Sequence, residues 1–528
     1  MAATFLAGST LFSALLGIYR DRLLNSMYLH TYKAGIDAYT AAFTIPDFMF
    51  YILVSGALSV TFIPVFTKRL ATGNRKSAWE LSSSLINFMA VSTLSASVLI
   101  IIFAGPLVQF VVGPGLNEQG QALAISMMRV IAVNPFLFAI ATVIASMQQA
   151  IGRYTFFALA PIIYNIGIII GALWFTQGIT MFGHEVFAGG IMGVALGVVL
   201  GSIMQLVISS LGLMGTGFDY RFKIFWKNKG FREVLRLLPP RSLDQGMDYI
   251  INIFEFNVAS RLGQGMLRAY QQATSLHMMP VNLIGVAIST AAFPTMSEDL
   301  ALGRFDSFRT NMQKIIRVIF WLALPVAALT FVARNYVVSF IVNGGDALIS
   351  GLLGTLVVAI LFRSVYHIVA RGFYAQHDTK TPLYISIISI GLNIALALWF
   401  TFTLGMGPYG LAFAQSIVAF VEVVILLSII NRRIPGKLFD HTMADAIFRM
   451  ASAAGITAVV GYIMVNLFQL QRSDLSIVQT APKFFLIVGV GMAVYLLMSR
   501  VFKLEEATPV IARIKSVLLN NRINGHRR

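Results

Sequence analysis

Apolar runs long enough to enter a bilayer recur along the chain, separated by short polar stretches rich in lysine and arginine. A membrane-spanning helix needs about 20 apolar residues, and by that rule the pattern predicts about fourteen helices. They lie near residues 3–29, 34–67, 78–112, 119–149, 154–177, 186–213, 235–262, 267–297, 311–342, 347–375, 381–404, 407–431, 441–468 and 482–502. Pro46, Pro135, Pro280 and Pro325 interrupt several runs. Bundles in lipid tolerate such breaks where neighbouring groups re-satisfy the backbone. The expected fold class is an all-α polytopic membrane protein.

The polar stretches carry an orientation signal. One alternate set holds Lys68, Arg69, Arg75 and Lys76, then Arg153, then Arg221 to Arg232 with three lysines between, then Arg304, Arg309, Lys380, Arg432, Arg433 and Lys437. The opposite set holds little beyond Lys33, Arg261, Arg268, Arg472 and Lys483. The positive-inside rule places both termini in the cytoplasm. The N-terminus has neither a basic leader nor a small-residue cleavage site, so residues 1–27 read as a retained first span.

The longest loop splits the first twelve spans six and six. The expected division is an N-terminal lobe at 1–214, a cytoplasmic linker at 215–234, a C-terminal lobe at 235–432, two further helices at 433–503, and a basic tail at 504–528. Aromatic and basic residues alternate in Ile224–Arg232, as at a membrane interface. The tail segment 510–519 is basic and amphipathic and has the same ordinary reading. Two short matches support parallel repeats: Ala57-Leu58-Ser59…Pro64 with Ala287-Ile288-Ser289…Pro294, and Arg153…Pro161 with Lys380…Pro382.

Composition narrows the function. The chain has 528 residues, 57% hydrophobic and only 12% charged, with a mean hydropathy of +0.78. A net charge of +17 would suit nucleic acid, but the bases sit in short inter-span loops, so contact with anionic lipid is the better reading. There is no cysteine, hence no disulfide and no thiol chemistry. No P-loop and no His-Glu-x-x-His motif occurs, and His277 and His367 read as packed polar residues. Nothing argues for an enzyme. Transport would draw on an ion gradient, the membrane potential or the substrate's own gradient.

Ionisable groups inside spans cost at least about 2.5–3.5 kcal/mol each and mark function. Arg20, Asp21 and Arg22 are consecutive in the first span, and Asp37 opens the second. A guanidinium fork suits phosphate oxygens; an ion pair with Asp21 or Asp37 is the alternative. Asp37 fits pairing or gating better than direct contact with an anion. Asp244, Asp248 and Glu255 share one face of the seventh span.

Several segments resemble the MurJ/MviN lipid II flippases. These are Leu11–Asp21, Ile36-Asp37-Ala38-Tyr39 with Phe43-x-x-Pro46, Gly56–Pro64, Gly372-Phe373-Tyr374-Ala375-x-x-Asp378-x-Lys380-Thr381-Pro382, and Gly410–Ser416. The resemblance implies two six-helix lobes in a V-shaped alternating-access arrangement, plus two C-terminal helices. The substrate implied is undecaprenyl-pyrophosphate-linked peptidoglycan precursor, moved to the outer leaflet of a bacterial inner membrane. No cofactor is expected beyond Na+ as a coupling ion, and the chain is expected to act as a monomer among membrane lipids. Four arginines line the family's cavity; here Arg20 matches one, and Ala14, Phe50 and Ser275 occupy the other places. Arg20, Arg22, Asp21, Asp37 and Ser275 are the substrate-binding candidates. Glu255, Asn393 and Gln415 match positions of a Na+ site in some members, with Ala397 where a second carboxylate usually stands. The missing arginines leave open an exporter of another polyprenyl-linked glycan or of a drug. A transport-inactive envelope scaffold is the reading from another class, and it is opposed by the charges kept in the first spans.

Overall fold

The computed structural model describes residues 2–55, 61–181, 184–471, 474–510 and 512. The chain divides into two compact units, Met1–Arg268 and Ala269–Arg528. The first unit holds α1 (Ala2–Tyr28), α2 (Lys33–Phe50), α3 (Ile63–Ala71), α4 (Arg75–Pro106), α5 (Glu118–Ile131), α6 (Asn134–Ala150) and α7 (Thr155–Leu173). A short hairpin follows, β1 (Ile179–Met181) and β2 (His184–Phe187), then α8 (Met192–Leu211) and α9 (Lys229–Ser260). The strands are antiparallel, with Ile179 opposite Phe187 and Met181 opposite His184. The next helix, α10 (Met266–Pro280), starts in the first unit and continues in the second. The second unit completes with α11 (Ala287–Ala301), α12 (Phe305–Val332), α13 (Arg334–Ser339), α14 (Ala347–Thr355), α15 (Val357–Ala375), α16 (Lys380–Leu398), α17 (Pro408–Arg433), α18 (His441–Leu467) and α19 (Ile477–Val501).

Among the described residues, eleven helices are long and apolar enough to cross a membrane. The other three expected spans, at 3–29, 34–67 and 235–262, are helical too, as α1, α2 with α3, and α9. Each carries ionisable groups: Arg20, Asp21 and Arg22 in α1, Asp37 and Asp47 in α2, and Glu255 in α9. The division after Arg268 leaves α9 in the first unit, where it packs on α2, α3 and α4. The amphipathic tail segment lies largely outside the described residues, and so do Ala57, Leu58 and Ser59 of the first repeat match.

Two wide, π-helical turns support the repeat. One runs Tyr51–Ser55 and the other Val281–Val286, at corresponding places in the second and eighth spans. The second follows Pro280, whose missing N–H frees the carbonyls of the preceding turn. A stronger repeat is the pentapeptide Ala-Leu-Trp-Phe-Thr, present at 172–176 and again at 397–401. It ends α7 in one unit and α16 in the other. In both units the glycine at the start of the next helix packs on its backbone. A Cβ on Gly193 would lie 2.5 Å from Thr176 N, and one on Gly410 would lie 2.6 Å from Thr401 N.

Each unit has its own apolar core. In the first, Ile36, Met127, Ile131, Val194 and Val198 are buried between α2, α5 and α8, and Phe62, Phe66, Leu81 and Phe231 between α3, α4 and α9. In the second, Phe308, Ile316, Val365, Phe373, Leu426 and Met450 join α12, α15, α17 and α18. Where these cores lie outside lipid, burying such side chains contributes roughly 25 cal/mol per Å² removed from water. Within the bilayer, close packing and hydrogen bonds take over that role.

Candidate substrate-binding site

Arg20 projects from the turn of α1 that also carries Asp21 and Arg22. Its Nη1 donates to Asn165 Oδ1 on α7 at 3.0 Å, and its Nη2 donates to Asp21 Oδ1 at 3.1 Å. Asn165 is fixed in turn, since its Nδ2 donates to the Pro161 carbonyl at 3.1 Å. The amide thus uses the carbonyl one turn back on its own helix and presents its oxygen to the guanidinium. The Arg20 side chain keeps a quarter of its surface exposed, at 25%. It has donors left to offer an anion.

Asp21 also faces Arg268, whose Nη2 lies 3.5 Å from Asp21 Oδ1. The Arg268 side chain is buried, and its Nε donates to Asn25 Oδ1 at 3.0 Å. Its backbone N–H donates to Asp37 Oδ1 at 2.8 Å, while the Gly265 N–H donates to Asp37 Oδ2. Asp37 therefore anchors the first turn of α10 from across the unit, with both oxygens engaged by backbone donors that no helix satisfies. Gly265 has φ +86°, a conformation that favours glycine, and this turn delivers its N–H to the carboxylate. Two guanidiniums, Arg20 and Arg268, share the Asp21 carboxylate, and Asp37 lies beside the second of them.

The other expected residues fall elsewhere. Arg22 is buried, but residues two apart on a helix point about 200° apart, so it leaves α1 on a different face from Arg20. Ser275 is exposed on α10, in the second unit. Glu255 is buried on α9 in the first unit. Asn393 and Gln415 are buried in the second unit, on the packed helices α16 and α17. Gln415 Oε1 has no hydrogen-bond partner among the described residues. Among those residues no three His, Cys, Asp or Glu side chains gather as a metal site. The side chains of Asp244 and Asp248 lie outside the description.

Reading the sequence missed Arg268, Asn25 and Asn165. In the sequence Arg268 reads as one of the sparse loop charges, whereas it belongs to the first turn of α10. A lone amide in an apolar run, as at Asn165, is the signal that could have found its partner.

A polytopic helical protein whose two units repeat a sequence element, with paired arginines and aspartates set in apolar helices, has the architecture of a membrane transporter. The chain belongs to the MurJ family: the family profile, described as Lipid II flippase MurJ, matches residues 32–485. Among its relatives, a probable lipid II flippase MurJ of Thermotoga maritima is 25% identical over 514 residues, covering 96% of this chain and 97% of that one. The corresponding protein of Vibrio cholerae is 26% identical and covers 92% and 93%. A solved structure titled lipid II flippase MurJ, inward closed conformation, shares the fold with a TM-score of 0.74 at 22% identity, covering 94% and 98%. An inward-facing multidrug resistance MATE family transporter of the MOP superfamily shares it with a TM-score of 0.67 at 16% identity, covering 80% and 94%.

Proposed function

We propose that this chain is a lipid II flippase, moving the undecaprenyl-pyrophosphate-linked precursor from the inner to the outer leaflet of a bacterial inner membrane by alternating access. The observation that carries this reading is the family match from residue 32 to residue 485, with relatives of that name aligned over nearly their whole length. The cluster around Arg20 supports it chemically. Arg20 binds the pyrophosphate, with Asn165 and Asp21 holding its fork in place. Arg268 adds a second positive charge, and Asp37 fixes the turn that carries it. Asp21 thereby orients the guanidiniums rather than touching the substrate. Arg22, buried on another face of α1, and Ser275, exposed on α10, are further proposed substrate contacts.

The Lys/Arg asymmetry of the loops supports cytoplasmic termini. An anionic substrate leaving the cytoplasm moves with a potential that is negative inside, and each charge crossing 100 mV gains about 2.3 kcal/mol. Na+ binding through Glu255, Asn393 and Gln415 is the proposed means of resetting the empty carrier, acting as a coupling ion rather than a cofactor. The chain works as a monomer with lipid partners.

The test is complementation of a flippase-depleted strain. Arg20→Ala abolishes growth with protein abundance near normal, and Arg20→Lys rescues poorly because it keeps the charge and loses the fork. Full activity of Arg20→Ala overturns the assignment of Arg20.

A further inference from the structure

Five cations and two helix N-termini converge on one groove of the first unit. The groove has a volume of about 820 Å³ and is lined by Lys68 and Arg69, by the start of α4, and by the linker with Lys223, Lys227 and Lys229. The acids on its wall are Glu80 and Glu233, too few to balance these charges. Among the described residues none of the five cations forms an ion pair.

The arrangement is electrostatically unfavourable as it stands. α4 and α9 open here, capped by Asn74 and Asn228, and neither has an acid in its first turn. Helix N-termini are already positive ends, so cations gathered there repel them. Arg69 is nevertheless held against the first turn of α9, where a Cβ on Gly230 would fall 2.3 Å from Arg69 Cζ.

The frame is fixed. Asn87 Nδ2 donates to the Arg221 carbonyl at 2.8 Å and to the Lys223 carbonyl at 3.1 Å. The Phe225 N–H donates to Ser84 Oγ at 2.8 Å, and Asn228 Nδ2 donates to the Ser77 carbonyl at 3.1 Å. Every one of these bonds pins the linker to α4. Beside the groove Phe222 is 91% exposed and Trp226 54% exposed, as aromatic side chains are at headgroup depth.

We propose that this groove binds the phosphate of an anionic phospholipid in the cytoplasmic leaflet, and that the bound lipid joins the linker to the start of α9. A soluble phosphate shares the charge chemistry. The exposed Phe222 and Trp226 favour the lipid, because its glycerol and acyl groups would cover them. The choice of leaflet rests on the orientation proposed above; lipid binding itself does not.

The test uses the purified full chain in neutral detergent, with thermal unfolding as readout. Phosphatidylglycerol raises Tm by several degrees, while phosphatidylcholine does not. Lys68→Gln/Lys227→Gln/Lys229→Gln removes the phosphatidylglycerol shift, whereas Lys314→Gln/Lys380→Gln/Lys437→Gln, an equal charge change in the second unit, keeps it. Equal loss in both variants, or an equal shift from phosphatidylcholine, overturns the proposal. A shift from inorganic pyrophosphate that Lys68→Gln/Lys227→Gln/Lys229→Gln removes assigns the groove to a soluble ligand and overturns the lipid. Should the triple variant not fold, Lys227→Glu alone must reduce the shift by at least half, and an undiminished shift overturns the site. The readout involves no transport, so its failure is separate from failure of the flippase reading. Labelling of a cysteine at Lys227 from outside the cell moves the site to the other leaflet and leaves binding intact.

Discussion

The same corner is built twice, with opposite charge. In the first unit α6 ends in a turn where Gly152 has φ +78° and the Arg153 N–H donates to the Gln148 carbonyl at 2.8 Å. In the second unit α15 ends in a turn where His377 has φ +57° and the Asp378 N–H donates to the Phe373 carbonyl at 3.0 Å. Both are helix ends closed through a left-handed residue. From there they diverge. Arg153 reaches past α8 to the Met214 carbonyl at 2.6 Å. Asp378 accepts from the Lys380 and Thr381 N–H groups at 2.9 and 3.0 Å and pairs with Arg433 at the end of α17. One unit closes the corner with an arginine on a carbonyl, the other with a carboxylate capping the next helix. The sequence feature most specific to the family, Gly372 to Pro382, is thus a structural device, whereas the Arg20 cluster is assembled from scattered residues.

The helix pairs that follow these corners differ as well. α7 and α8 meet on bare backbone: a Cβ on Gly197 would lie 2.5 Å from Gly171 Cα, and one on Gly167 would lie 2.2 Å from Gly201 Cα. α16 and α17 meet through side chains, with Ser386 Oγ donating to Glu422 Oε1 at 2.9 Å. Small residues permit the first kind of seam, and polar side chains bind the second. Leucine in each seam separates them. Gly197→Leu drives a side chain into backbone that cannot yield, and folded protein should be lost from the membrane. Ala414→Leu, the matching place on α17, overpacks a buried site and should cost about 1–3 kcal/mol. Yields from fluorescence-detected size-exclusion chromatography decide the matter; equal loss in the two variants would break the contrast.

The corner of the second unit should respond to charge where its counterpart does not. Asp378→Arg sets two guanidiniums together and removes the cap of α16, a loss of about 2–3 kcal/mol. Adding Arg433→Asp should restore part of it. Arg153→Ala, on an exposed side chain, should cost less than about 1 kcal/mol. Acid sharpens the difference. Burial pushes the Asp378 carboxyl up, but the Thr381 hydroxyl, Arg433 and the two backbone N–H groups outweigh it and hold it well below the usual carboxylate range. A carboxyl depressed in the folded state stabilises fully above its unfolded value of about 3.9 and loses that contribution as pH falls below it. Thermal melts of wild type should therefore weaken below about pH 4 more than those of Asp378→Asn. Parallel profiles would remove Asp378 from this role.

Much of the fold can be read from apolar run lengths, because lipid imposes a single solution on each run. The three spans holding Arg20, Asp37 and Glu255 stand out for the same reason, being charged where composition should forbid it. The pairing of Asp37 was legible as chemistry, since a carboxylate repels an anionic substrate, but its partners at Gly265 and Arg268 were not, because they come from a turn more than two hundred residues away in sequence. Arg22 follows Arg20 by two places, and helical geometry turns it to another face of α1. The repeat was visible only faintly through Pro64 and Pro294. Ala-Leu-Trp-Phe-Thr was in plain view, and its meaning came from the glycines that pack on it.

The smallest effect isolates the backbone of the two corners from their charges. A residue other than glycine in the left-handed region costs about 1–2 kcal/mol. His377 bears that cost on an exposed side chain, while Gly152 avoids it in the same turn. No atom lies within 4 Å of a Cβ built on Gly152, so a substitution there meets only backbone strain. His377→Gly should accordingly stabilise the second unit by up to about 1 kcal/mol, offset in part by the greater freedom glycine gives the unfolded chain. Gly152→Ala should destabilise the first by about 1 kcal/mol. Opposite shifts in Tm for these two variants identify one turn used twice. Shifts of the same sign would mean that the corners share a hydrogen bond but not a conformational requirement.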